Sequence, residues 1–261
     1  MRLSDLPEKI RYPVKDLFEF AFGLLTDLGL RDGNYRKLYD RLKYKVCAFC
    51  GVEPLDAPGQ KREALDHYML IANYPFAGAN FRNLSPMCSK CNSRYKLQQD
   101  ILVDPMHGGR RTCCDPYNSP TLSLSLNNSR PFEGARVDLV NCPEWDIQWV
   151  GGHPGKVQTW ESVFGISERY RESSLNPNFR TWVDHFCTWA ARKSTASSPD
   201  LLRDLLQEFA EIVVPEGWAE SAFLKRATFQ MLAAQCDTSE DGLRIFVWLH
   251  DQIEERRALA A

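Results

Sequence analysis

The chain has 261 residues, of which 44% are hydrophobic and 25% are charged, and its formal net charge is −2. This length is sufficient for one large domain or two smaller ones with a real hydrophobic core. The near-neutral charge excludes a protein coated throughout in basic surface for nucleic acid, but it leaves room for a local basic patch.

Two helices are predicted before the first cysteine. Apolar residues recur at helical spacing within 14–31, and the pattern ends before Gly29. A second helix over 34–44 leads towards Cys47. We therefore predict that residues 1–44 form an N-terminal helical extension.

The middle of the chain, 45–118, is predicted to be a separate domain with little regular structure. Prolines and glycines mark turns between Cys47 and Tyr95. The stretch "ALDHYML" at 64–70 predicts a short strand, and a helix is predicted from Asn92 to about Leu102.

The remaining residues, 119–261, are predicted to form strands first and helices afterwards. Strand patterns occur within 121–126, 136–140 and 145–150, and helical patterns follow from Trp160 onward. The segment 193–200 is the best candidate for a linker or turn. The predicted fold class is α+β.

Basic and acidic residues are unevenly distributed. Residues 31–62 contain eight Lys or Arg against four Asp or Glu, and 82–111 contain six against two, so each segment has a net charge of +4. Residues 200–261 contain six basic and twelve acidic residues, a net charge of −6. The acidic tail would repel nucleic acid and suits a protein partner or a self-contact; solvated helix faces are the simpler alternative.

The cellular location is inferred from the N-terminus and the cysteines. The first sixteen residues contain no continuous apolar stretch, and no apolar run approaches the length of a membrane span. Nine cysteines, an odd number without a secretory signal, fit a reducing compartment. We therefore expect a cytoplasmic protein without a membrane partner.

Two Cys-x-x-Cys pairs predict a structural zinc site. Cys47 and Cys50 form the first pair, Cys88 and Cys91 form the second, and 37 residues separate them. Four thiolates fill a tetrahedral zinc shell and leave no open position for a substrate. The alternative, four ordinary buried thiols, does not explain why both pairs share one spacing.

A second group of polar residues lies within and next to the 37-residue segment between the two cysteine pairs. Asp66 and His67 lie on the predicted strand, and Asn92 opens the helix behind Cys91. If zinc joins the two cysteine pairs, this strand can lie against that helix. A carboxylate and an amide oxygen are hard ligands that suit Mg²⁺.

The sequence "CAFCG…LDHYMLIANYPFAGANFRNLSPMCSKCNSRYK" resembles the HNH endonuclease motif, the ββα-metal fold, in its zinc-knuckle form. The resemblance covers 47–96 and extends as far as "CDPYN" at 114–118. Family members commonly carry a proline and a basic residue where this chain has Leu70 and Ile71. This departure concerns one phosphate contact and the shape of the loop, and it leaves the other matching positions unchanged.

The resemblance implies a ββα-metal nuclease core and a role for each matching residue. His67 would be the general base, while Asp66 and Asn92 would hold one catalytic Mg²⁺ or Mn²⁺. Asn83 would brace the loop between the two strands, and the four cysteines would bind zinc. A neutral imidazole suits proton removal from water, and a divalent cation suits stabilisation of the leaving oxygen.

Four basic residues are candidates for contacts with the nucleic-acid backbone. Lys96 lies four residues after Asn92 on the same face of the predicted helix, where it could touch a phosphate or remain a solvated surface lysine. Arg94 belongs to the same segment, and Arg110 and Arg111 follow in the loop.

The expected function is metal-dependent hydrolysis of phosphodiester bonds that leaves 5′-phosphate and 3′-hydroxyl ends, with DNA favoured over RNA as the substrate and RNA kept as the alternative. The alternative is a non-catalytic, zinc-stabilised module that binds nucleic acid or protein. The extra helices also resemble free-standing HNH effectors of bacterial anti-phage systems. In Septu-type pairs of that kind the nuclease partners an ATPase, so an ATPase or a second copy of the chain is the expected protein partner.

Overall fold

The computed structural model describes residues 1–60, 65–118, 122–134, 136–137, 140–193, 196–215 and 221–260. The fold is α+β, mostly helical with small two-stranded sheets. The chain forms two compact units. The first contains Met1–Thr121 and Gly152–Ile166, and the second contains Leu122–Gly151 and Ser167–Ala261.

The first unit begins with two helices, α1 (Glu8–Asp27) and α2 (Leu30–Arg41). Gly29 joins them with φ of 67°, a left-handed conformation that glycine adopts without steric cost. Helix α1 starts six residues earlier than the predicted segment. Its start was missed because Pro13, usually a helix breaker, lies inside the helix.

The strands of this unit are short. Strand β1 (Asp66–His67) pairs antiparallel with β2 (Leu84–Ser85), and His67 lies opposite Leu84. Only these two residues of the predicted strand at 64–70 are extended, and residues 61–64 lie outside the described part of the chain. Single 3₁₀ turns at Pro75–Ala77 and Phe81–Asn83 shape the connection between the strands.

The helix predicted at 92–102 is a π-helix over Lys90–Lys96. It ends at Leu97, whose φ of 46° is in the left-handed region and cannot continue a right-handed helix. A π-helix is rare and is found mostly as a single-turn bulge within an α-helix. The prediction was right about the start of this helix and wrong about its type and length.

Helix α3 (Pro154–Phe164) also belongs to the first unit, although it follows the strands of the second. The indole Nε1 of Trp160 donates a hydrogen bond to the Phe49 carbonyl oxygen at 2.8 Å, and the rings of Phe164 and Phe49 are 5.1 Å apart. Helix α3 therefore packs on the first Cys-x-x-Cys turn.

The second unit starts with strands and continues with helices, as predicted. Strand β3 (Ser123–Ser125) pairs antiparallel with β6 (Gln148–Val150), and β4 (Arg136–Val137) pairs antiparallel with β5 (Val140–Asn141). Residues 138–139 of the strand predicted at 136–140 lie outside the described part of the chain. The helical elements are α4 (Ile166–Tyr170), a π-helix at Arg171–Leu175, α5 (Asn176–Ala190), α6 (Pro199–Glu208), a π-helix at Phe209–Val213, α7 (Ala222–Gln235) and α8 (Glu240–Ala260).

The core of the second unit is aromatic. The ring of Phe209 lies 4.6 Å from that of Phe229 and 5.3 Å from that of Phe186. Ala196, within the predicted linker, is fully buried, so this turn packs against the unit; residues 194–195 are outside the described part. No described helix is long and apolar enough to cross a bilayer.

Candidate metal centre and active site

The four predicted zinc ligands come together. One ligand atom from each of Cys47, Cys50, Cys88 and Cys91 lies within 4.8 Å of the others, and all four residues are buried. Hydrogen bonding with the Cys47 thiol lowers the pKa of Cys50 and of Cys88, whereas hydrogen bonding within the cluster raises the pKa of Cys47 and of Cys91. The cluster has the ligand type, number and spacing that a zinc ion requires.

Backbone geometry holds the two cysteine turns in place. Gly51 has φ of 65° and donates its N–H to the Cys47 carbonyl at 2.7 Å, which closes the first turn. The backbone N–H of Cys88 points at the Cys47 sulfur at 3.4 Å. A salt bridge of 2.5 Å between Lys90 and Glu53 also links the second turn to the first.

Asn83 holds the loop that connects β1 with β2. Its side chain is buried, and its Oδ1 accepts a hydrogen bond from the Met69 N–H at 2.7 Å. Its Nδ2 donates to the carbonyl oxygens of Met69 and Ala77 at 3.0 and 3.2 Å. The amide thus braces both sides of the loop, which is the position that the resemblance implied.

The segment 114–118 packs on β2. The hydroxyl of Tyr117 donates to the Leu84 carbonyl oxygen at 2.5 Å, and Asp115 forms a 2.5 Å salt bridge with Arg82. These contacts bring the "CDPYN" segment into the same unit as the strands.

His67 is oriented by the loop. Its Nε2 lies 2.9 Å from the carbonyl oxygen of Gly78. A carbonyl oxygen can only accept, so Nε2 carries the proton in this arrangement, and Nδ1 keeps a lone pair in the neutral imidazole. Burial lowers the pKa of His67, and the positive charges of Arg31 and Lys96 add to that effect, against the Gly78 carbonyl and Asp66.

Asp66 lies beside a buried lysine. The Nζ of Lys96 is 2.7 Å from Oδ2 of Asp66, and the Lys96 side chain is almost completely buried. Neither atom makes a hydrogen bond of acceptable geometry within the described residues, so the contact is an ion pair without a directed bond. Both expectations for Lys96 placed its ammonium on the surface; the structure buries it against Asp66.

Asn92 shares the π-helix with Lys96. Residues four positions apart lie on one face of a helix, so the half-buried Asn92 is one turn from the group that contacts Asp66. The structure therefore brings Asp66, His67 and the π-helix carrying Asn92 into one region.

The three candidate arginines differ in their surroundings. Arg111 donates to the carbonyl oxygens of Asp100 and Ile101 at 3.1 and 3.2 Å, so its guanidinium is a structural brace. Arg94 and Arg110 are exposed. They remain available for backbone contacts with a nucleic acid.

Two residues that neighbour His67 in the structure, Phe22 and Gly78, were not predicted from the sequence as site residues. The ring of Phe22, on α1, lies 4.4 Å from the His67 ring, and the guanidinium of Arg31 lies over the Phe22 ring at 4.7 Å from its centroid. Gly78 is packed so tightly that an added Cβ would lie 2.7 Å from Cδ1 of Ile71. The position of a glycine between two turns could have indicated that Gly78 is tightly packed, but no local pattern indicated that Phe22 contacts His67.

The chain was compared with models of known protein families, with curated proteins and with solved structures, and none of these comparisons found a match.

Proposed function

We propose that this protein is a metal-dependent nuclease of the HNH type, which hydrolyses phosphodiester bonds in nucleic acid. The observation that carries the proposal is the placement of Asp66 and His67. They are adjacent on β1, with the imidazole oriented by a backbone carbonyl and the carboxylate turned towards the π-helix. The braced loop of Asn83 holds the strand partner of these two residues.

His67 is the proposed general base. With Nε2 donating to Gly78, its Nδ1 can take a proton from a water molecule whose oxygen attacks phosphorus. The bond from phosphorus to the 3′ oxygen then breaks, and that oxygen takes a proton from solvent. The products are a 5′-phosphate and a 3′-hydroxyl. Because burial lowers the pKa of His67, the imidazole is neutral and able to act as a base near neutral pH.

Asp66 and Asn92 would hold the Mg²⁺ or Mn²⁺ ion. Oδ2 of Asp66 is a buried oxygen without a hydrogen bond in the described part of the chain, and it faces a positive charge. A divalent cation at these oxygens would stabilise the negative charge that develops on the leaving group. The Lys96 ammonium lies 2.7 Å from Oδ2 of Asp66, so it would have to move away for the ion to bind there.

The cysteine cluster is the proposed structural zinc site. Zinc would fix the π-helix, which starts between Cys88 and Cys91, relative to the first cysteine turn. This ties the position of Asn92 to an intact cluster. Metal analysis of the purified protein should give one zinc per chain, and Cys88→Ser should lower that content.

DNA is the proposed substrate, on the strength of the resemblance and of the exposed Arg94 and Arg110. Cleavage of supercoiled plasmid, single-stranded DNA and tRNA should be measured with Mg²⁺, with Mn²⁺ and with EDTA. His67→Ala should lose cleavage and keep its zinc, while His107→Ala, which changes an exposed histidine, should cleave normally. Normal cleavage by His67→Ala would rule out the assigned base.

One observation favours the non-catalytic alternative. The Lys96 ammonium, 2.7 Å from Oδ2 of Asp66, neutralises this carboxylate, and such an ion pair suits a purely structural role for Asp66. The two functions differ in binding: the nuclease must bind Mn²⁺ with Asp66, and the structural module need not. Calorimetric titration of wild type and Asp66→Asn with Mn²⁺ therefore separates them.

A further inference from the structure

Helix α1 has an uncovered apolar face. Five large apolar residues are each between 38% and 67% exposed: Ile10, Leu17, Phe20, Leu24 and, at the end of the helix, Leu28. At about 100° per residue they fall within an arc of about 80°. We call this set the α1 stripe.

The opposite face of α1 is the one that packs on the unit. Phe22 and Leu25 lie against a core cluster that contains Leu65 and Leu84, and Phe18 packs edge-on against Phe76. Even so, no residue of α1 is fully buried. A helix that is apolar on two sides normally has both sides covered. The structure covers only one.

We propose that the α1 stripe is a homodimer interface, in which α1 of a second copy packs antiparallel to it. The argument for a second copy is charge complementarity. Lys9 and Asp27 are both exposed and lie on the same edge of the stripe, 18 residues or about five turns apart. In an antiparallel pair each edge faces the same edge of the other copy. Lys9 then meets the Asp27 carboxylate of the second copy, and this contact occurs twice.

A parallel pair lacks this match. It would place the edge with Lys9 and Asp27 against the opposite edge of the other helix, which carries the uncharged Val14 and Ala21. Charges at the edges of a helix pair select its orientation, so the antiparallel pair is favoured. Its two-fold axis passes near residue 18, and Leu17 of each copy packs against Phe20 of the other.

The available area fits a dimer of modest affinity. If each side chain of the stripe has a full area of roughly 200 Å², the exposed part amounts to roughly 550 Å² per copy and roughly 1,100 Å² per pair. Specific interfaces start at about 1,000 Å², and those near that limit are weak. We therefore expect a dissociation constant on the order of 10 µM.

The proposed interface bears on the proposed active site. Phe22, on the inner face of α1, lies 4.4 Å from the His67 ring. A second copy that covers the outer face would hold α1 against His67. This consequence rests on the proposed nuclease function, whereas the dimer itself does not.

The test is the mass of the purified, zinc-loaded full-length chain by sedimentation over a range of concentrations, without nucleic acid and without added Mg²⁺ or Mn²⁺. Wild type should change from 30.0 kDa to twice that mass as concentration rises. Leu17→Glu should stay at 30.0 kDa with an unchanged circular dichroism spectrum, and Val247→Glu, a change of a comparably exposed apolar residue on α8, should dimerise like wild type.

Charge reversal tests the orientation without disturbing the fold. Lys9→Glu and Asp27→Lys should each raise the dissociation constant about tenfold, since each replaces two attractive contacts by repulsive ones. The double variant should restore wild-type affinity. A monomeric wild type at high concentration, a dimeric Leu17→Glu, or a double variant weaker than both single variants would overturn the proposal. Because no cleavage is measured, a failed nuclease assay leaves this result unaffected.

Discussion

Replacement of Lys96 by methionine tests whether the Lys96 ammonium stabilises the fold and competes with a metal ion for Asp66. The change keeps a long apolar side chain and removes the ammonium that lies 2.7 Å from Oδ2 of Asp66. At this distance the attraction is about 6 kcal/mol with an effective dielectric constant of about 20, before the cost of desolvation is subtracted. Loss of one partner of a buried pair typically costs about 3–5 kcal/mol. The partial exposure of Asp66 favours the lower figure.

We therefore expect Lys96→Met to lower the free energy of unfolding of the zinc-loaded protein, without added Mg²⁺ or Mn²⁺, by about 3 kcal/mol. Mn²⁺ should bind more tightly to the variant, because it no longer competes with an ammonium for Asp66. The affinity for Mn²⁺ should rise at least about tenfold, which corresponds to about 1.4 kcal/mol of binding free energy. Urea unfolding of the zinc-loaded protein without added Mg²⁺ or Mn²⁺ and calorimetric titration with Mn²⁺ give the two quantities.

Lys90→Met is the matched control. Lys90 lies on the same π-helix and also forms a salt bridge, but both partners in that pair are partly exposed. Such pairs contribute about 0–1 kcal/mol, so this variant should change neither quantity by more than that. If Lys96→Met leaves both stability and affinity unchanged, the ion pair has no energetic role. If it loses Mn²⁺ binding, Lys96 assists the metal and the reasoning is wrong.

Three further predictions concern the loop and the base. Cleavage should fall as pH drops below about 6.5, the unperturbed histidine pKa, because protonation of His67 removes the base. Burial lowers the pKa of His67 in the folded protein, so the protein should also lose stability as pH falls from 6.5 through the folded-state pKa. A rate and stability that both rise below pH 6.5 would contradict this. Asn83→Ala should lower the free energy of unfolding by about 3 kcal/mol, because it leaves buried backbone groups unpaired, while Asn80→Ala, which removes one exposed cap, should cost about 1 kcal/mol. Gly78→Ala should slow cleavage about tenfold by displacing the carbonyl that orients His67, and Ile71→Ala in the same chain should restore part of the rate by making room.

The four cysteines could be predicted from the sequence because each pair is a local unit. A Cys-x-x-Cys spacing places two thiols on one turn, and two such turns commonly bind one zinc ion between them. The motif, a set of residues in a fixed order along the chain, likewise predicted that Asn83 braces the loop and that Asp66 and His67 are adjacent. Their environment depends on the strand register, which pairs His67 with Leu84.

The position of Lys96 could not be predicted, because it depends on the π-helix and on a non-local ion pair. Sequence spacing places Lys96 on the same face as Asn92 but does not say whether that face is buried. The contact of Phe22 with His67 spans 45 residues and has no local signal. Because α1 is apolar on two sides, its periodicity predicts a helix without indicating which side packs.

Local sequence patterns also could not predict that α3 belongs to the first unit. Its helical sequence was recognised, but it was assigned with the later helices because of its place in the chain. The hydrogen bond from Trp160 to Phe49 joins residues 111 positions apart. Such a contact follows from tertiary packing alone.

The central claim is that His67 acts as the base of a metal-dependent nuclease. The most direct test is the single-turnover rate of plasmid nicking by zinc-loaded protein in Mg²⁺ or Mn²⁺, for wild type and His67→Ala. The account predicts nicking by wild type that EDTA abolishes and a rate at least about 100-fold lower for the variant. Equal rates for the two proteins, or no metal-dependent cleavage of DNA or RNA by wild type, would contradict it.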